Sequence, residues 1–106
     1  MKEYKLKSEE IIKLIELKGS CIASDKITIE GLQIEYMYRE RPTNEIDSGW
    51  RFFAGNEDEN YTNNPDNFNI FDLNTICNYD KTIIPYLESE IGSSFEKING
   101  EFKKIN

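Results

Sequence analysis

Apolar and polar residues alternate across positions 32–39, with Leu32, Ile34, Tyr36 and Tyr38 set between Gln33, Glu35, Met37 and Arg39. A period of two is the mark of a β-strand with one face in the core and the other partly wet. Upstream, Ile11, Leu14 and Ile15 recur at helical spacing behind Ser8, Glu9 and Glu10, and Lys18 with Gly19 closes the run. A serine N-cap, acids at the positive end and a Lys-Gly close predict a helix over 9–18. Positions 20–24 and 27–29 read as short extended pieces. Pro42-Thr43-Asn44 and Asp47-Ser48-Gly49 then break the chain, and 50–54 reads as a second strand that pairs with the first as a long hairpin.

The polar stretch 55–67 has the length of a functional or mobile loop. Positions 68–73 predict a short strand, and Asn74 or Asp80 caps a helix that runs to about 88, interrupted at Pro85. Near the end, 94–98 and 101–105 flank Asn99-Gly100, the preferred pair for a type I′ hairpin turn. Together these elements predict an α+β fold: a mainly antiparallel β-sheet with an N-terminal helix and a second helix near 75–88 packed on it.

At 106 residues the chain reads as one domain over 1–106, large enough for one modest core. Its 38% apolar content argues against disorder. No apolar run approaches the roughly 20 residues of a membrane span, and the charged start Met1-Lys2-Glu3-Tyr4-Lys5 does not read as a signal peptide. Charge changes the picture more. Between Asn44 and Asp80 eight acids face only Arg51, while the rest of the chain balances, so the whole net charge of −7 sits in that third. Such a field repels nucleic acid and anionic membrane and favours a basic protein partner or a cation.

The residue inventory disfavours catalysis. There is no histidine, which removes the Ser-His-Asp and Cys-His pairs, the common zinc sites and the usual neutral-pH proton shuttle. Cys21 and Cys77 stand 56 positions apart without metal-ligand spacing and read as buried free thiols of a reducing compartment. No glycine-rich phosphate loop is present. Asn56-Glu57-Asp58-Glu59-Asn60 and Asp66-Asn67 offer oxygens for Mg²⁺ or Ca²⁺ but lack the glycine and terminal glutamate of a calcium loop. No cofactor or metal is called for. The acidic run reads either as a solvated loop or as a protein-binding patch.

Trp50 and Phe52 share one side of their strand, Arg51 and Phe53 the other. Trp50 with Phe52 is expected to face the core, leaving Arg51 and Phe53 outward. The ordinary reading of Arg51 is an internal salt bridge with Asp47, Asp58 or another nearby acid; Arg39 is read the same way, with Glu40 or Glu35. Asp47-Ser48-Gly49 reads as a tight turn with the aspartate bonding the backbone and the glycine at positive φ. Aromatics and arginine carry most binding energy at protein surfaces, and acids steer association. The candidate partner-binding residues, at or beside a contact, are therefore Trp50, Arg51, Phe53, Glu57, Asp58 and Glu59.

A series of short motifs lies in one order over positions 19–95. It comprises Ser20-Cys21-Ile22-Ala23-Ser24, Tyr36-Met37-Tyr38-Arg39-Glu40, the block from Asp47 to Glu59, Asn64-Pro65-Asp66-Asn67 and Asn74-Thr75-Ile76. Asn78-Tyr79-Asp80, Ile83-Ile84-Pro85-Tyr86-Leu87 and Gly92-Ser93-Ser94-Phe95 complete it. In this the chain resembles the immunity protein 33 family of small bacterial domains. Ala54 and Asn56 depart from an expected serine and acid, and Lys81 from a common proline. The resemblance implies a cytoplasmic protein that neutralises a toxin. With the residue inventory above, the leading reading is that it binds a cognate toxin and blocks it by occlusion, without chemistry of its own. A basic site on that toxin would suit the acidic and aromatic centre of this chain. The alternative is a ligand- or cation-responsive regulatory module.

Overall fold

The computed structural model describes residues 2–106; Met1, the first residue of the expected domain, lies outside them. Six strands form one sheet: β1 (Ser20–Ser24), β2 (Tyr36–Arg39), β3 (Asp47–Phe53), β4 (Phe68–Asp72), β5 (Ser94–Ile98) and β6 (Glu101–Lys104). Their spatial order is β4-β1-β3-β2-β5-β6. The α-helices are short: α1 (Asp25–Thr28), α2 (Glu59–Thr62) and α3 (Leu73–Tyr79), with 3-10 turns at Ser8–Glu10, Pro65–Asn67 and Lys81–Tyr86. The α+β class holds. The sheet is mixed, because β1 and β3 run parallel while the other neighbours are antiparallel.

The hairpin read from the alternating pattern is present as β2 and β3, with Tyr36 opposite Phe53 and Arg39 opposite Trp50. Its central strand carries a bulge. Ser20 pairs with Asp47 but Ile22 pairs with Arg51, so two steps along β1 face four along β3. Gly49 makes this possible: its φ is +89°, and a Cβ there would collide with the Glu40 carbonyl oxygen. Asp47 Oδ1 accepts the Gly49 N–H at 2.9 Å. The turn chemistry expected of Asp47-Ser48-Gly49 is thus real, but it kinks a strand instead of ending one.

Trp50 and Phe52 face the core, as expected, with Cys21, Ala23, Met37 and Phe95 from neighbouring strands. Their rings stack at 5.9 Å, and the Trp50 indole N–H donates to the Leu87 carbonyl at 2.9 Å. Ile76, Cys77 and Leu73 of α3 and Ile83 of the following 3-10 turn close over the same face. Both cysteines are free and buried; burial raises the Cys21 thiol well above its ordinary value and pushes Cys77 up to about 11.

Three local expectations are corrected. The helix over 9–18 is absent: only Ser8–Glu10 turns, and positions 11–18 run non-helically along α3. Side chains of α3 replace the helical bonds. Asn74 Oδ1 accepts the Leu14 and Ile15 N–H groups at 2.7 and 3.2 Å, and Asn78 Oδ1 accepts that of Ile12 at 3.2 Å. Both amides donate back to the Ile12 carbonyl at 2.9 Å. Helical spacing without this information favours a helix, since a ten-residue segment is marginal alone and follows its tertiary partners.

The extended reading of 27–29 also fails. Ser24 accepts the Lys26 N–H and starts α1, which buries Ile27. The helix near 75–88 breaks in two at Asp80, which is extended at φ −154° and caps the Lys81–Tyr86 turn through the Thr82 N–H. Pro85 lies inside that turn. The terminal hairpin is as read, with Asn99 and Gly100 at φ 53° and 82°.

Asn74→Ala should loosen the strap over 11–18, because the Leu14 and Ile15 N–H groups lose their acceptor and the Ile12 carbonyl loses one of its two donors. A stability loss of about 1–3 kcal/mol is expected, with faster amide exchange at Leu14 and Ile15 and little change in β3. Unaltered exchange at those two amides would contradict the assignment.

Candidate functional site: the open face of the sheet

The alternation that buries Trp50 and Phe52 turns Arg51 and Phe53 to the opposite face. Strand register then assembles an aromatic row there. Tyr36 lies opposite Phe53 and Tyr38 opposite Arg51. The Tyr36, Tyr38 and Phe53 rings form a closed triangle with centroid separations of 5.9, 5.7 and 5.7 Å. Ser24, small and fully buried, sits in β1 between Phe53 and Phe68, so those two rings meet across it at 5.8 Å. Tyr61 of α2 extends the row to Phe68 at 5.9 Å. Ile70, 73% exposed, and the half-buried Ile22 lie beside each other on the same face. The elements α1, α3 and Lys81–Tyr86 bury their apolar residues in the core on the other side. A contiguous, half-buried aromatic patch on the face opposite these elements is a candidate interaction surface.

Arg51 is on this face yet only 3% exposed. Its Nη1 and Nη2 donate to the two Asp47 carboxylate oxygens at 2.9 and 2.8 Å, and its Nε to Glu40 at 2.6 Å. Asp47 also accepts from the Thr43 N–H and hydroxyl. The hydrogen bonds from Arg51 hold the Asp47 carboxyl well below the usual carboxylate range, outweighing its burial. The internal pair anticipated for Arg51 is present; Arg39 instead donates to the Ser48 and Ser89 carbonyls. Burial, then the nearby Glu40 charge, raises the Tyr38 hydroxyl, so Tyr38 stays a neutral phenol at neutral pH.

At the Tyr36 end the face opens into a cleft of about 790 Å³. Tyr36, Tyr38 and Phe53 line it with three acids, Glu35, Glu57 and Glu96. Lys97 also lines it, but its ammonium is bound to Asp80 at 3.1 Å with both side chains buried. Burial opposes ionisation of Asp80, yet bonds from Thr82, the Ile34 N–H and Lys97 overcome it and lower its pKa.

The candidate residues therefore separate. Phe53 is at the centre of the half-buried aromatic row. Arg51 lies beneath it in an ion pair, and Trp50, fully buried, faces the core on the opposite side. Glu57 is at the cleft, where its carboxylate accepts the Ala54 and Gly55 N–H groups at 2.8 and 2.9 Å. Asp58 caps α2 through the Tyr61 N–H, and Glu59 is exposed in its first turn. Tyr36, Tyr38, Tyr61 and Phe68 were not singled out by the sequence pattern. Its apolar members do not share a face: Ile34 is fully buried, whereas Tyr36 and Tyr38 look outward and Met37 inward. The strand begins only at Tyr36, and 30–35 does not keep the pleat. The tyrosines themselves, amphipathic and well suited to wet interfaces, were the available signal.

Among the described residues no three His, Cys, Asp or Glu side chains converge as a metal cage, and no helix is long and apolar enough to cross a membrane. Compared with known families, the chain matches the family model described as Immunity protein Imm33 domain over residues 21–106. Comparisons with curated proteins and with solved structures gave no match.

Asp47 and Asp80 titrate below their unfolded values, so the stability they contribute is complete above about pH 4 and is lost as pH falls through their folded values. Melting temperature should decline on acidification below about pH 4. In Asp47→Asn that decline should be shallower, starting from a less stable protein. An identical acid profile would show that Asp47 is not a linked group.

Proposed function

This chain belongs to the Imm33 immunity protein family, and we propose that it neutralises a cognate toxin by occlusion, laying the open face of its sheet over the toxin without chemistry of its own. The observation that carries this reading is the continuous row of Tyr36, Tyr38, Phe53, Phe68 and Tyr61 on the face opposite the core-covering helices, with only the short α2, which supplies Tyr61, lying against it. Rigid aromatic side chains lose little entropy on contact and dominate interface hot spots. Here they also need no rearrangement, because each ring is already held by its neighbours.

Phe53 would contact the toxin directly, with Arg51 holding the strand beneath it and Trp50 acting only through the core. Glu57, Asp58 and Glu59 border the row and favour a basic site on the partner. The cytoplasm is the compartment that fits two free buried thiols. A second reading, a ligand- or cation-responsive module, has one observation behind it, since the cleft volume lies in the range of small-molecule sites. A specific small ligand would raise the melting temperature by mass action.

The test is capture followed by protection. Tagged protein retrieves its partner from the source cells, and the identified partner is then expressed alone or with this protein. Growth arrest relieved by co-expression supports the reading. Tyr38→Ser with Phe53→Ser should weaken the complex by about a hundredfold or more and abolish protection in a protein that remains folded. Full protection by that folded variant would move the contact off this face.

A further inference from the structure

We propose that the cleft at the Tyr36 end of the sheet is an arginine socket: it takes a guanidinium from the partner, stacked on Tyr38 and Phe53 and ringed by Glu35, Glu57 and Glu96. This deepens the toxin-binding reading and rests on it. The Tyr38 and Phe53 rings are nearly parallel, 16° apart and 5.7 Å between centroids, and with Tyr36 they give the cleft an aromatic wall. Three carboxylates line the same space. Glu35 and Glu96 are exposed side chains. Glu57 already accepts two backbone N–H groups, but that leaves its charge and further lone pairs in place.

The charge balance selects the occupant. Lys97, the cation that lines the cleft among the described residues, is engaged by Asp80, and among the described residues none of the three acids is held in a salt bridge. An apolar side chain entering here would strip water from carboxylates and return nothing. An acidic one would be repelled. A guanidinium satisfies both parts of the wall, because its plane stacks on a ring while its edge donates to carboxylates in pairs. A lysine ammonium meets the charge but not the planar stack. The protein itself uses cations over rings elsewhere, with Lys26 5.0 Å from the Tyr61 centroid and Lys97 4.9 Å from that of Phe102.

The probe is the tripeptide acetyl-Gly-Arg-Gly-amide, titrated into the full chain and followed by NMR of aromatic and amide resonances. Its citrulline counterpart, which keeps the shape and loses the charge, is the control. The arginine peptide should give saturable shifts confined to Tyr36, Tyr38, Phe53 and their neighbours at millimolar concentrations, with citrulline about tenfold weaker or silent. Glu35→Gln with Glu96→Gln, both exposed and with no side-chain hydrogen bond among the described residues to lose, should weaken the arginine peptide about tenfold while the remaining spectrum stays unchanged. Absence of shifts up to tens of millimolar, or equal binding of citrulline, overturns the socket. The two readings fail separately. Protection from a toxin together with a silent peptide removes the socket and leaves the immunity role, whereas a bound peptide without any protection does the reverse.

Discussion

A guanidinium that has lost almost all its water must recover its hydrogen bonds from the protein, and Arg51 does so by clamping Asp47 with two nitrogens and Glu40 with a third. Both ends of the loop that joins the hairpin's strands are tied by that one side chain. Glu40 follows β2, Asp47 opens β3, and Asp47 also holds Thr43 in the loop between them. The bulge at Gly49 sets the register in which Arg51 reaches back to Asp47, and the β1–β3 parallel pairing resumes only after it. Leaving either charge alone at this depth would cost about 3–5 kcal/mol. The outward face of β3, and with it the position of Phe53, depends on this clamp.

The acidic centre of the chain takes on a different meaning once its partners are known. Asp47 and Asp80 are buried in ion pairs, Glu57 secures the Ala54–Gly55 backbone, and Asp58 caps α2. Much of what reads as a steering field is local structure, with the backbone supplying the donors. The acids that remain for a partner are set around the aromatic wall, and two of them, Glu35 and Glu96, lie outside the acidic third of the sequence. Strand pairing brought them there: β5 places Glu96 opposite Tyr36.

Elements whose signals are local were legible. The Asn99-Gly100 hairpin, the inward Trp50 and Phe52, and the Arg51 ion pair each follow from a few adjacent residues. The N-terminal segment was not legible, because its helical spacing is overruled by Asn74 and Asn78, some sixty positions away. Neither was the aromatic row. It needs the register of four strands and the smallness of Ser24 to let Phe53 and Phe68 meet, and sequence spacing carries neither. The single tryptophan lies on the strand that carries Phe53 but on its buried side.

Cross-saturation NMR on the complex with the captured toxin addresses the central claim most directly, since it marks the side chains in contact within an intact protein. Saturation transferred to Tyr36, Tyr38, Phe53, Phe68 and Ile70 is the predicted outcome. Saturation falling on Lys81–Tyr86 and the strap over 11–18, with the sheet face untouched, would contradict it.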